Sequence, residues 1–348
     1  MSSNTINKHL WRVTLDTNPE DCNYHCIMCE EHSEYSNFKQ KLKAQGIDKP
    51  RRMPIEWLPK IFQEMKNLGV REVIPSTMGE PLLFQGIEEF YSLAKQYGFK
   101  VNLTTNGSFP KKTIEEWAKI IIPNTSDIKI SLNGAKKETS EKIMKGSSYE
   151  RQITNIKYLI KYRNECFKEH GTYCSITQQL TFMQCNMKEL AEIVKLAASL
   201  GVDRIKGHHL WTHFDEIKKQ AMKYNSQSIE LWNKYVDEAE TAQELYRKPD
   251  GEKIKLENII KLSEDKGESI PEHYNCPFLG KELWIAADGR VNPCCCPEEK
   301  RRTLGDFGNI KQMEISEIME SEKYQALLTN YKEQDVCKTC NMRRPDVK

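Results

Sequence analysis

Seven of the twelve cysteines in this 348-residue chain fall at spacings that suit metal chemistry. Cys22-Asn-Tyr-His-Cys26-Ile-Met-Cys29 sets three thiols at steps of four and three residues. Three thiolates on one loop can wrap one iron–sulfur cluster. That is one ligand fewer than a cubane needs, so one iron stays open to an exogenous ligand, much as a catalytic zinc keeps an open position. Near the C-terminus, Cys276, Gly289 and Cys294 follow C-x12-G-x4-C, and Cys337-Lys-Thr-Cys340 adds a C-x2-C pair. Their four sulfurs can close a tetrahedral all-thiolate set, and the spacing serves structural zinc as well as iron–sulfur ligation. Cys295 and Cys296 follow Cys294 directly, so any of the three can serve as the ligand, and the glycine spacing favours Cys294. Cys166 and Cys174 read as structural.

Between the two groups lie loops with binding chemistry. In Thr77-Met78-Gly79-Glu80-Pro81, Gly79 allows close backbone approach to a ligand. The Glu80 carboxylate can accept hydrogen bonds from an α-ammonium group. Thr104-Thr105-Asn106-Gly107 and Ser131-Leu132-Asn133-Gly134 are turn signals that end apolar runs. His208, His209, Trp211 and His213 crowd one short stretch. A histidine there, His209 being the candidate, could position a substrate or move a proton. Cys185 stands alone at the end of another run.

Positioning these groups takes a repeating scaffold. Strand-like runs at residues 9–17, 71–77, 100–105, 127–132, 175–183 and 204–211 alternate with helical spacing over 54–68, 87–97, 113–120, 149–162 and 187–200. Six βα units predict a parallel sheet with helices outside: an open, partial (β/α)6 TIM-like barrel whose site lies at the strands' C-terminal ends. Residues 1–215 would form it. Residues 216–270 read as a helical connector, with helical patches at 229–239 and 256–262. Residues 271–348 read as a small Cys-rich domain, in which Trp284–Ala286 and Arg290–Val291 flank an Asp288-Gly289 hairpin turn.

Composition bounds the partners. Fifty-two basic residues face fifty acidic ones, and no charge run marks a nucleic-acid or membrane patch. The N-terminal stretch lacks the apolar region of a secretory signal, and no apolar run is long enough to span a membrane. A cytoplasmic protein with reduced thiols is expected.

The cysteine loop, with Met28 where an aromatic residue is usual, resembles the C-x3-C-x-(aromatic)-C signature of the radical S-adenosylmethionine (SAM) superfamily. The loops at Gly79–Glu80, Asn106 and Ser131 are similar to that family's further motifs, in the same order. The resemblance runs from about Trp11 to Trp211. It implies a [4Fe–4S] cluster on Cys22, Cys26 and Cys29 that binds SAM and cleaves it reductively to a 5′-deoxyadenosyl radical, which abstracts a substrate hydrogen. It also implies a SAM pocket bordered by Met28, Gly79, Glu80, Asn106, Ser131 and Lys145, and an electron donor such as flavodoxin or ferredoxin. Behind such a barrel, Cys276, Cys294, Cys337 and Cys340 resemble the SPASM domain or its shorter twitch form. The second cysteine series of a full SPASM domain is missing, so one auxiliary [4Fe–4S] cluster is implied. Some family epimerases use a lone cysteine as hydrogen donor, which makes Cys185 the candidate. The cysteine loop begins at Cys22, leaving no room ahead of it for a peptide-recognition domain. The expectation therefore leans to a small polar substrate (a sugar, aminocyclitol or nucleoside) undergoing dehydrogenation or epimerisation. A ribosomal peptide that is oxidised, cross-linked or epimerised is the alternative. A zinc-stabilised binding module is the alternative of another class.

Overall fold

The computed structural model describes residues 10–47, 49–76, 78–263, 270–340 and 342–345. Among the described residues eleven strands run in chain order: β1 Arg12–Leu15, β2 His25–Cys26, β3 Glu72–Ile74, β4 Lys100–Thr105, β5 Thr125–Ser131, β6 Met144–Lys145, β7 Ser175–Phe182, β8 Arg204–His209, β9 Lys255–Glu257, β10 Glu282–Ile285 and β11 Val291–Asn292. Nine of them form one sheet in the order β11-β10-β1-β3-β4-β5-β7-β8-β9. Every neighbour pair in it is parallel except β10–β11. The six expected strands are therefore present as β1, β3, β4, β5, β7 and β8, in an α/β fold with helices between them.

Side-chain alternation splits this sheet into two faces. Val13, Leu15, Val73, Val101, Leu103, Ile128, Ile130, Ile176, Leu180 and Ile205 are buried in the core shared with the helices. Leu58, Ile61, Phe62 and Met65, the expected apolar stripe, bury one side of the helix Leu58–Asn67. The opposite, lumen face is polar. Arg12 bridges Glu72 (3.0 Å) and Glu282 (2.6 Å), while Arg204 joins Asp127 (2.6 Å) to Glu257 (3.0 Å). These groups sit toward the lower end of the barrel, where ion pairs serve the scaffold rather than the chemistry.

One expectation is corrected. Residues 256–262 are not helical: Lys255–Glu257 is β9, which extends the sheet beside β8. The segment expected as a connector also packs on the barrel. Its helix Ser226–Leu245 buries Trp232 against Phe182, with ring centroids 4.8 Å apart. The Trp232 indole N–H donates to the carbonyl of Ile260 at 2.9 Å. On this packing we draw the barrel to Glu257 rather than to residue 215. The C-terminal hairpin is as expected, with Gly289 in the left-handed conformation (φ +89°). Its strand β10 lies in the barrel's own sheet, in register with β1.

Candidate active site and iron–sulfur centres

Cys22, Cys26 and Cys29 follow β1 at the end of the barrel where such sites form. Cys26 lies in β2, which pairs with β6 in a two-stranded ribbon: His25 faces Lys145 and Cys26 faces Met144. The ribbon turns the cysteine loop over a small apolar cluster of Tyr24, Ile143, Met144 and Met183. Cys22, Cys26, Met28, Cys185 and Leu210 pack against it. The loop is fastened from within. The amide of Cys29 donates to the Cys26 carbonyl (3.0 Å), and that of His32 to the Cys29 Sγ (3.3 Å).

Burial raises the pKa of all three thiols, Cys22 to about 12. The thiolates raise one another further: Cys29 acts on Cys22, and Cys29 and Cys22 act on Cys26. Thiolates gathered this way need a compensating cationic centre, as metal ligation supplies. The donor set therefore fits a cluster. Among the described residues, no group of three or more His, Cys, Asp or Glu side chains is placed to hold a single metal ion. A cubane distributes its ligands one to an iron.

Gly79 and Glu80 are knitted to the start of the same loop. The Glu80 amide donates to the Asp21 carbonyl (2.7 Å), and Asn18 Nδ2 donates to the Glu80 carbonyl (3.0 Å). Gly79 has φ +74°, and a Cβ there would stand 2.4 Å from the Asn18 carbonyl oxygen and 2.8 Å from that of Asp21. The Glu80 carboxylate is directed at the protein. It accepts from the Thr105 hydroxyl (2.8 Å), the Asn106 amide (2.7 Å) and the Leu82 amide (3.2 Å), and the residue is 1% exposed. Burial raises its pKa to about 7 against these donors. Through these bonds Glu80 holds the Asn106 loop. Thr77 lies outside the described residues. The Asn106 side chain reaches Asn23 (2.8 Å) and approaches the Cys22 Sγ (3.9 Å), and Ser131 stands half-buried at the end of β5. Lys145 turns outward and pairs with Glu34.

The two histidines of β8 lie on opposite faces of the sheet. In β8 the alternation places Arg204, Lys206 and His208 on the lumen face. His209 falls on the helix side, between Phe182 (5.5 Å) and Trp232 (5.1 Å). His209 Nδ1 is buried without a hydrogen-bond partner among the described residues, and burial lowers the ring's pKa to about 4. Its ring packs between these two aromatics, away from the lumen. His208 has its Nε2 3.3 Å from the Thr181 hydroxyl. It is reached by solvent from the lumen, yet protein surrounds it closely enough to lower its pKa, with Lys206 adding to the effect. The polar–apolar alternation of Arg204-Ile205-Lys206 already carried this distinction. A prediction follows from the sign of the His209 shift. A histidine neutral in the fold and protonated when unfolded loses stability as pH falls from 6.5 toward 4, by about 2 kcal/mol at pH 5. His209→Phe is expected to leave unfolding at pH 7.5 within about 1 kcal/mol of wild type and to gain on it at pH 5. Denaturant titrations at the two pH values measure the difference, and an equal difference at both would refute the assignment.

At the other centre, Cys276, Cys294, Cys337 and Cys340 lie within one another's electrostatic reach. Cys295 and Cys296 join them. The Cys276 Sγ accepts from the Leu279 amide (3.4 Å), and the Cys294 Sγ from the Cys296 amide (3.5 Å). Hydrogen bonds from the thiols of Cys295 and Cys296 lower the pKa of Cys294. Arg343, 5% exposed, ties this end of the chain together by donating to the Tyr274 carbonyl (2.8 Å). Asn275 and Arg344 exchange backbone hydrogen bonds of 2.7 and 2.9 Å.

An open parallel barrel with three thiols at its mouth and an all-cysteine centre joined to its edge defines a two-centre iron–sulfur architecture. The family model of the radical SAM superfamily matches residues 19–171, and that of the SPASM iron–sulfur cluster-binding domain matches residues 276–341. The chain belongs to the radical SAM superfamily and carries a C-terminal SPASM domain. The family implies a SAM-binding [4Fe–4S] cluster, an auxiliary cluster and SAM itself. It also removes the zinc-module alternative.

Among curated relatives, a probable GTP 3′,8-cyclase of Saccharolobus islandicus is 23% identical over 89% of each chain. A probable GTP 3′,8-cyclase of Thermococcus kodakarensis is 25% identical, but the match spans only about half of either chain (52%). Of solved structures, SuiB of Streptococcus suis bound to S-adenosylmethionine superposes with TM-score 0.65 at 17% identity, over 96% of this chain and 72% of that one. The protein anSMEcpe with bound AdoMet and Cp18Cys peptide gives 0.59 at 16% identity, over 95% and 86%. These likenesses show the fold. No described helix is long and apolar enough to cross a membrane.

Proposed function

We propose that this chain binds SAM at a [4Fe–4S] cluster held by Cys22, Cys26 and Cys29 and abstracts a hydrogen atom from a small polar substrate in the barrel lumen. When bound there, the cluster would supply one electron for reductive cleavage of SAM, the chemistry that makes hydrogen abstraction possible. The observation carrying the substrate class is the polar inner face. Thr181 on β7 and His208 on β8 face inward toward the strands' C-terminal ends, above the ion pairs of Asp127 and Glu257. Such a wall pairs with hydroxyl, amino or carbonyl groups and leaves an apolar ligand's surroundings unsatisfied. Met28 packs beside the cysteines, where an adenine can lie. Cys276, Cys294, Cys337 and Cys340 would hold the auxiliary [4Fe–4S] cluster, a one-electron centre. Cys185 packs on the same apolar cluster as Cys22 and Cys26, which supports a role as hydrogen donor in an epimerisation. An electron carrier such as flavodoxin or ferredoxin would reduce the protein in the cytoplasm.

A peptide substrate is the second reading, favoured by the likeness of the whole fold to SuiB, also solved bound to precursor peptide SuiA (TM-score 0.63). One experiment separates the two. Anaerobically reconstituted protein is given SAM and dithionite, and 5′-deoxyadenosine formation is followed with the low-molecular-mass fraction of a source-cell extract added. Stimulation that survives peptidase treatment of the fraction supports the small substrate. Stimulation that the peptidase destroys transfers the chain to the peptide-modifying class. Absence of SAM cleavage by iron-loaded protein refutes both.

A further inference from the structure

The helix Tyr149–His170 presents two amide side chains one turn apart, at Gln152 and Asn155, and both are buried. They hold loop carbonyls, not neighbouring helices. Gln152 is 0% exposed, and its Nε2 donates to two carbonyls at once: Asn106 after β4 (2.6 Å) and Ser131 at the end of β5 (3.1 Å). Asn155 Nδ2 donates to the carbonyl of Gly107 (3.0 Å). From the opposite side, Glu80 accepts the amide of Asn106 (2.7 Å) and the hydroxyl of Thr105 (2.8 Å). Asn106 is thus gripped at its N–H by one element and at its C=O by another. Its side chain is left to reach Asn23 and the Cys22 sulfur.

We infer that Gln152, seconded by Asn155, is a positioning residue for the SAM pocket, setting the loops of Asn106 and Ser131 relative to each other and to Cys22. This rests on the reading that those two loops border SAM. The requirement for an amide is chemical. One NH2 group has two hydrogens in a plane, which matches two carbonyls from neighbouring strand ends, and a neutral donor avoids burying a charge. Gly107 makes room for it. With φ +78°, a Cβ on that residue would lie 2.9 Å from the Ile130 side chain and 3.4 Å from the Gln152 amide. The helix itself is anchored by Ile156, Leu159 and Ile160 in the core, so its packing does not depend on the amides.

The test is SAM affinity of the reconstituted protein, read by equilibrium dialysis and by the change in the reduced cluster's EPR spectrum as SAM is added. Gln152→Met keeps length and volume and removes both donors; Gln152→Asn keeps the amide but draws it back by one carbon. We expect SAM binding to weaken about tenfold or more in Gln152→Met, as for groups that orient a metal site's ligands, and less in Gln152→Asn. Iron content and the cleavage rate at saturating SAM should stay near wild type, a split that a merely structural brace would not produce. Should Gln152→Met aggregate, Gln152→Asn carries the comparison. If soluble variants bind SAM as wild type does while their melting temperature falls, Gln152 is a brace and the inference is overturned. If wild-type protein with full iron binds no SAM, the pocket reading itself has failed.

Discussion

Cys26→Ala is expected to abolish reductive SAM cleavage and to lower bound iron from about eight to about four per chain, the complement of one cubane. Cys26 is half-buried at the centre of its loop, between Cys22 and Cys29, and its backbone is fixed by pairing with Met144 across the ribbon. Losing it leaves two thiolates, too few to keep a cluster that already has one open iron. Removing even an outer partner of a metal ligand costs about 10- to 100-fold in affinity or activity, and a ligand costs at least that. The C-terminal cysteines belong to a different part of the fold, so their centre should remain and the protein should stay coloured. Cys174→Ala is the control, because Cys174 is buried in the core with its thiol directed at the Ser175 carbonyl (3.6 Å). Iron and sulfide assays with 5′-deoxyadenosine quantification make the measurement. Full iron and undiminished cleavage in Cys26→Ala would sink the assignment of the loop.

The second large effect is expected at a residue with no side chain. Gly79→Ala should destabilise the protein by more than about 2 kcal/mol, since left-handed backbone costs an alanine about 1–2 kcal/mol before any clash. The clash is with backbone, at 2.4 and 2.8 Å from the carbonyl oxygens of Asn18 and Asp21, and cannot be relieved by turning a side chain. Either the Gly79–Glu80 turn or residues 18–21 must move. The latter lead directly into Cys22, so iron incorporation at the SAM-side cluster should fall with stability. Gly171→Ala provides the comparison. Gly171 also has positive φ (+69°), but a Cβ there meets nothing within 4 Å. It should lose only the conformational cost, with iron unchanged. Urea denaturation and iron analysis of both variants read the difference. Equal behaviour would mean that the contact with Asn18 and Asp21 does not govern the site.

These two predictions draw on different kinds of information. Cys22, Cys26 and Cys29 were legible because cluster ligands on one loop are neighbours in sequence, and their spacing is their chemistry. The six barrel strands were legible for a similar reason, since each apolar run and its Asn-Gly or Gly-Glu-Pro turn is local. So was the hairpin at Asp288-Gly289, whose glycine takes the positive φ such a turn demands. The placement of Glu80 was not legible. A carboxylate beside a glycine can face a ligand or the protein, and only the positions of Thr105 and the Asn106 amide decide which. The choice between His208 and His209 was half-legible: the alternation was readable, but which face looks into the lumen depends on Phe182 and Trp232 packing on the other.

What the sequence by itself determined is therefore the local chemistry: the cysteine sets, the loops that follow the strands, and the βα repeat that carries them. Tertiary structure alone decided how those pieces meet. It joined β10 to β1, with Arg12 bridged to a glutamate 270 residues away. It added β9 from a segment that reads as helical, because an unpaired barrel edge can favour a strand that the local pattern does not. It also gathered Cys276, Cys294, Cys337 and Cys340 into one centre and set Gln152 behind two loops. Local spacing encodes hydrogen bonds and ligation within one turn or loop. Pairing across the chain depends on which surfaces remain to be covered after the local elements have formed, and that balance belongs to the whole fold.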